Sequence, residues 1–175
     1  SFGLTALLLT WDRGSRSQTR SILSSSSFKG PHNQLSDLAF SLDSRWLAWV
    51  NQEQLSLLSL KSGQTAAVRV TGNLEINSIA FSPDSREIAF GGRTNIMIYQ
   101  VASGTLQSLA PTDSEAYTMA YSPNGRCLAV GDDQGFVTVR DRTTGRVLFK
   151  EKTHPPVVFD IEFSSDGRLM ASCGA

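Results

Sequence analysis

Two histidines, His32 and His154, and two cysteines, Cys127 and Cys173, are the side chains of this 175-residue chain most suited to metal or nucleophilic chemistry. Their spacing supports neither. Each histidine lacks an acid or cysteine at ligand spacing, and the two cysteines form no paired motif. Cys127 follows Arg126, and a neighbouring cation favours a thiolate, but its place at the start of an apolar run reads as structural. Asp132-Asp133 with Gly135 lacks the alternating ligands and distant glutamate of a calcium loop, so it reads as a β-turn. Gly91-Gly92 and Gly131 precede no helix and no Gly-Lys-Ser/Thr, so they cradle no phosphate. The expectation is no catalytic centre, no metal and no cofactor.

Composition narrows the class further. Sixteen basic residues balance sixteen acidic ones, so no overall field draws in nucleic acid. No apolar run approaches the roughly 20 residues of a membrane-spanning helix. With two cysteines there is no disulfide framework, which points to a reducing compartment, the cytoplasm first and the nucleus second. Arg13, Arg16, Arg20 and Lys29, against Asp12 alone, make one locally basic stretch, read as a loop before a contact surface. Neither nucleic acid, membrane nor small molecule is the expected partner.

What organises the chain is a repeat. Phe40-Ser-Leu-Asp-Ser-Arg45, Phe81-Ser-Pro-Asp-Ser-Arg86, Tyr121-Ser-Pro-Asn-Gly-Arg126 and Phe163-Ser-Ser-Asp-Gly-Arg168 align without a gap, with the aromatic recurring after 41, 40 and 42 residues. An apolar residue and then alanine follow each arginine: Leu47-Ala48, Ile88-Ala89, Leu128-Ala129 and Met170-Ala171. Ser62-Gly63, Ser103-Gly104 and Thr144-Gly145 keep the same beat. The four recurrent arginines follow the repeat and read as a solvated rim rather than a nucleic-acid stripe.

Each unit reads as four short strands. In the clearest, strands over 117–121, 127–130, 136–140 and 146–150 are separated by turn residues, and Phe136, Thr138 and Arg140 alternate with Val137 and Val139. The neighbouring unit gives 77–81, 87–90, 95–99 and 105–109. No segment holds a 3.6-residue apolar period. Four antiparallel strands per repeat of this length predict an all-β fold of β-propeller blades. A single small sheet cannot hide both faces, so sheets stack; the alanine permits close approach and the aromatic fills the space between sheets. One partial propeller over 1–175 is expected: outer strands of a blade at 4–28, blades at 35–70, 76–110 and 116–150, and inner strands of a blade at 157–175. That is about four blade equivalents. Ser24-Ser25-Ser26-Ser27 reads as a loop or a ragged strand end.

The units resemble WD repeats, with the Phe-Ser-Pro-Asp turn, Trp11-Asp12 and Arg140-Asp141 at the closing Trp-Asp position, and His154 and His32 near the Gly-His position. Tyr99-Gln100 and Leu58-Ser59 hold that closing place in the other units, so the pair is degenerate. The resemblance implies a piece of a larger, seven-bladed propeller. It implies blade bracing by Asp133 in the third unit, where Val130 replaces the usual serine, and by His154 with Ser172 in the last. It implies a non-enzymatic scaffold that binds other proteins or peptides on the face built by the blade-entry loops and the turns between second and third strands. On that face Arg93, Tyr117, His154, Asn77 and Gln134 are the candidate partner-binding residues. Two rival readings follow from similar turns elsewhere: a sensing propeller segment of a larger multidomain signalling protein, and a periplasmic Tol-type propeller. A channel enzyme is disfavoured, because few histidines and no paired acids gather across the repeats.

Overall fold

Each repeated turn is locked by its own side chains. In the first, the Ser41 hydroxyl donates to Asp43 Oδ1 at 2.6 Å and accepts from the Trp46 amide at 2.9 Å. The same pair of bonds recurs at Ser82, at Ser122 with Asn124 in the aspartate's place, and at Ser164. The residue after each Asp or Asn takes the left-handed conformation, with φ of 57° at Ser44, 60° at Ser85, 71° at Gly125 and 70° at Gly167. These turns fix where the first strand of a unit ends and the second begins.

The serine hydrogen bond, followed by backbone amides, holds the carboxyls of Asp43 and Asp166 below the usual range, and the same hydroxyl bond does so at Asp84. A carboxyl whose pKa is depressed by folding stabilises the fold above its unfolded value, about 4, and loses that contribution as pH falls through the folded value. Thermal unfolding followed against pH is therefore expected to show a falling acid limb below about pH 4. Asp84→Asn, which keeps the turn in the form Asn124 already uses, should make that limb shallower. An unchanged limb would contradict the assignment.

A computed structural model describes residues 5–11, 22–29, 35–51, 53–70 and 75–175. All regular elements among them are strands. The chain divides into two compact units, Ser1–Leu35 and Ser36–Ala175. The first holds an antiparallel hairpin of β1 (Thr5–Trp11) and β2 (Ile22–Lys29). Ser24 to Ser27 therefore lie in a strand rather than a loop. Leu7, Leu8 and Leu9 pair with Ser27, Ser26 and Ser25, and the ladder overrides the low strand preference of a serine run. His32, Asp12, Arg13, Arg16 and Arg20 lie outside the described residues.

The second unit contains three four-stranded meanders and a two-stranded half. They are β3 (Asp37–Phe40), β4 (Trp46–Asn51), β5 (Gln54–Ser59) and β6 (Thr65–Arg69); then β7 (Ser78–Phe81), β8 (Glu87–Gly91), β9 (Asn95–Gln100) and β10 (Leu106–Pro111). β11 (Ala116–Tyr121), β12 (Cys127–Asp132), β13 (Phe136–Asp141) and β14 (Val147–Lys152) follow, and β15 (Val158–Phe163) pairs with β16 (Met170–Gly174). Within each sheet, strands adjacent in sequence are adjacent in space and antiparallel. β12 and β14 run two residues further than the apolar pattern indicated, because Gly131, Asp132, Glu151 and Lys152 still pair.

Apolar clusters close the seams between successive sheets. Phe81 shares one cluster with Val50, Leu55 and Leu57, Tyr121 shares another with Ala89, Ile96 and Ile98, and Phe163 packs against a third that holds Ala129 and Val137. The repeating alanines meet across the two inner strands, Ala39 opposite Ala48, Ala80 opposite Ala89 and Ala120 opposite Ala129. Ala48, Ala89 and Ala129 are 0% exposed, so the seam leaves no room for a larger side chain. At the seam between the third and fourth sheets, a Cβ on Gly131 would stand 2.6 Å from Val158 Cγ1 and 2.8 Å from Thr118 Cγ2. Gly131→Ala is expected to cost about 2 kcal/mol through overpacking, a lowering of Tm by roughly 6 °C. A Tm within a degree of the parent would refute the close approach.

Candidate functional site

The loop end of the sheets is built by the segments entering β7 and β11 and by the β8–β9 turn. The Arg93 guanidinium, at the β8–β9 turn, lies 3.0 Å from the Glu75 carboxylate and 4.0 Å from that of Glu115. Asn77 donates to Glu115 Oε1 at 2.6 Å. Glu115 is in turn fixed by the next turn: its amide donates to Asp133 Oδ1 at 3.1 Å, and its carbonyl accepts from the Asp133 amide at 3.1 Å. Arg93, Asn77 and Asp133 thus meet on Glu115, which links the entry loops of two sheets. The Arg93 side chain remains 54% exposed. Tyr117, two residues beyond Glu115, is 46% exposed.

Gln134 is exposed, and its amide donates to Asp132 Oδ1 at 3.0 Å. His154 stands apart from the Arg93 cluster. Its Nε2 hydrogen-bonds Ser172 Oγ at 2.9 Å, which ties the entry loop of the fourth sheet to β16. The backbone carbonyl of His154 would lie 2.2 Å from a Cβ on Gly135, whose φ is +80°, so only glycine fits that turn.

Three residues with strong interactions here carry no signal from residue type alone. Glu75 and Glu115 each lie six residues before the repeat aromatic, so comparing units position by position exposes them. Asp132 is 5% exposed and accepts from the Ser114 hydroxyl and from the Gln134 and Phe136 amides. It holds the β12–β13 turn from inside, while Asp133 reaches across to Glu115. Asp132 and Asp133 are adjacent and chemically identical, so only geometry separates their tasks.

A second polar cluster clamps the second sheet to the third. Both oxygens of Glu87, at the start of β8, accept from the Arg142 guanidinium just after β13. Gln100 and the Tyr121 hydroxyl donate to the same carboxylate at 2.9 and 3.1 Å. Burial, with the Asp84 charge adding to it, pushes the Tyr121 phenol well above its ordinary range, so it stays a donor. At the first seam Asp37 plays a smaller version of this part: its Oδ2 accepts from Ser78 Oγ at 3.2 Å and from the Ile79 amide at 3.0 Å. Among the described residues, no group of three His, Cys, Asp or Glu side chains is placed to hold a metal ion.

Comparison with known proteins agrees with this architecture. The family model "WD domain, G-beta repeat" matches residues 145–175. The WD repeat-containing protein SL1-17 of Schistosoma mansoni is 35% identical over 137 residues, covering 75% of this chain and 41% of that protein. The WD repeat-containing protein sll1491 of Synechocystis is 30% identical over 106 residues, covering 59% of this chain and 30% of that protein. The chain therefore spans less than half the length of these relatives. Among solved structures, the Cps50 (Swd1) β-propeller domain of Myceliophteria thermophila superposes with a TM-score of 0.72 at 16% identity, over 84% of this chain and 51% of that one. Repeat, sheet topology, seam packing and relatives agree, and the chain is a run of WD-repeat β-propeller blades.

Proposed function

We propose that this chain is a non-enzymatic interaction scaffold that holds partner proteins or peptides on its loop face, in the cytoplasm. WD-repeat propellers generally bind other proteins. The observation that carries the reading for this chain is the cluster on Glu115. Arg93 and Asn77 are held in place before any partner arrives, with Tyr117 exposed beside them. A pre-ordered arginine and an exposed tyrosine lose little side-chain freedom on binding, which is why such residues dominate interface energetics. Gln134 and His154 extend the same face toward the third and fourth sheets.

The test is affinity capture of cellular partners by the parent and by the double variant Arg93→Ala, Tyr117→Ala, with thermal unfolding as the control for folding. Loss of most captured partners at an unchanged Tm is the expected result. Full retention of partners would overturn the loop-face assignment.

A further inference from the structure

The third of the four repeated turns carries a different chemical group from the rest. Ser41, Ser82 and Ser164 each donate to a carboxylate two residues on, at Asp43, Asp84 and Asp166, whereas Ser122 donates to the carboxamide of Asn124. Asn124 is exposed, and of the six asparagines in the chain it alone precedes a glycine. Gly125 places no side chain beside its own amide nitrogen. That nitrogen can close a five-membered ring onto the Asn124 carbonyl carbon, so the turn contains both an electrophile and a nucleophile.

The folded turn keeps the two apart. Ser122 Oγ donates to Asn124 Oδ1 at 2.8 Å, and the Arg126 amide donates to the same oxygen at 3.0 Å. The Gly125 amide donates to the Ser122 carbonyl at 2.8 Å, and Ser122 Oγ accepts from the Cys127 amide at 2.9 Å. The turn lies beyond the last ladder pair of β11 and β12, Tyr121 with Leu128, so it can open without unfolding the sheet. The position is also shaped for a carboxylate. In the other three units the serine bond, with the backbone amide that follows, holds the carboxyl below its usual range. An aspartate at position 124 would repeat the Asp166-Gly167 turn, whose glycine φ of 70° matches the 71° of Gly125.

We propose that Asn124 is a site of spontaneous deamidation whose rate is set by opening of this turn. The Gly125 nitrogen gives its proton to solvent and bonds to Asn124 Cγ. The Cγ–Nδ2 bond breaks, and the nitrogen takes a proton from solvent and leaves as ammonia, which gives a cyclic imide. Water then opens the ring. Cleavage of the new N–Cγ bond restores the main chain and leaves an aspartate; cleavage at the main-chain carbonyl leaves a β-linked isoaspartate. One water is consumed and one ammonia released, with no oxidant or reductant. The aspartate form gives the third unit the carboxylate of the other three. The isoaspartate form adds a methylene to the main chain in a row of turns where Gly125 faces Pro83 and Gly167 faces Pro123.

The test is incubation of the purified chain at mildly alkaline pH, followed by peptide mapping with mass spectrometry and isoaspartyl methyltransferase labelling. Conversion should concentrate at Asn124 and run well ahead of Asn77, which precedes Ser78. Ser122→Ala should speed it about fivefold in the folded chain, the change in open population that one net hydrogen bond sets, and should match the parent in denaturing urea. Sub-denaturing urea should speed the parent as well, so the test does not hang on one variant. Asn124→Asp should keep or raise Tm and steepen the loss of stability at acid pH, as its carboxyl joins the other three. Conversion at Asn124 no faster than at Asn77, a folded Ser122→Ala chain no faster than the parent, indifference of the parent to sub-denaturing urea, or a Tm of Asn124→Asp below the parent's would each overturn the proposal.

Discussion

Arg142→Ala is expected to destabilise the Ser36–Ala175 unit by about 3 kcal/mol, because it strands a buried carboxylate. The Arg142 and Glu87 side chains are only 16% and 12% exposed, and the guanidinium engages both Glu87 oxygens. Removing it leaves Glu87 with the Gln100 amide and the Tyr121 hydroxyl as donors but no countercharge. The cost falls on the seam between the second and third sheets, so denaturant unfolding should lose stability there without altering the first seam. Replacing both partners by leucine should recover most of the loss, since a well-packed apolar pair often matches a buried ion pair. A full-size loss in the double leucine variant, or a loss under about 1 kcal/mol for Arg142→Ala, would contradict the clamp.

Phe90→Ala is expected to cost still more, about 4 kcal/mol. Phe90 is 0% exposed and is among the largest fully buried side chains of the chain. It lies in the cluster that joins Val50, Leu55 and Leu57 of the first sheet to Ile79 and Ile88 of the second. Truncation removes the ring's transfer free energy and leaves a cavity between two sheets that relax only in part. Amide exchange should show the release on both sides of that seam, in β4 and β5 as well as β8. Release confined to β8 would mean that the sheets do not depend on one another.

The blades were legible because the repeat records them twice. The Phe-Ser-Xaa-Asp turns state where the first two strands meet, and the alternating valines of 136–140 state a strand with two different faces. The serine run at 24–27 was misleading, because pairing with the leucines of β1 is a non-local fact that serine's own preference does not carry. The candidate site was legible only by location. Arg93, Asn77 and Tyr117 fall on the loop face by their place in the repeat, whereas Glu115, the residue that Arg93, Asn77 and Asp133 meet on, had no distinguishing type. The Glu87–Arg142 clamp spans 55 residues, and nothing in either local sequence announces it. Asn124 shows the converse: aligning the repeat marks it, as the one asparagine where three units place aspartate.

The claim that this chain holds proteins by its loop face is tested most directly by position-specific photocrosslinking in cells. Benzoylphenylalanine would be placed at Tyr117 on the loop face, and separately at Leu148 on the outer strand β14, a residue that is also well exposed. The account predicts discrete protein adducts from position 117, lost when Arg93→Ala is added, and none from position 148. Adducts of equal yield from both positions, or from 148 alone, would contradict it.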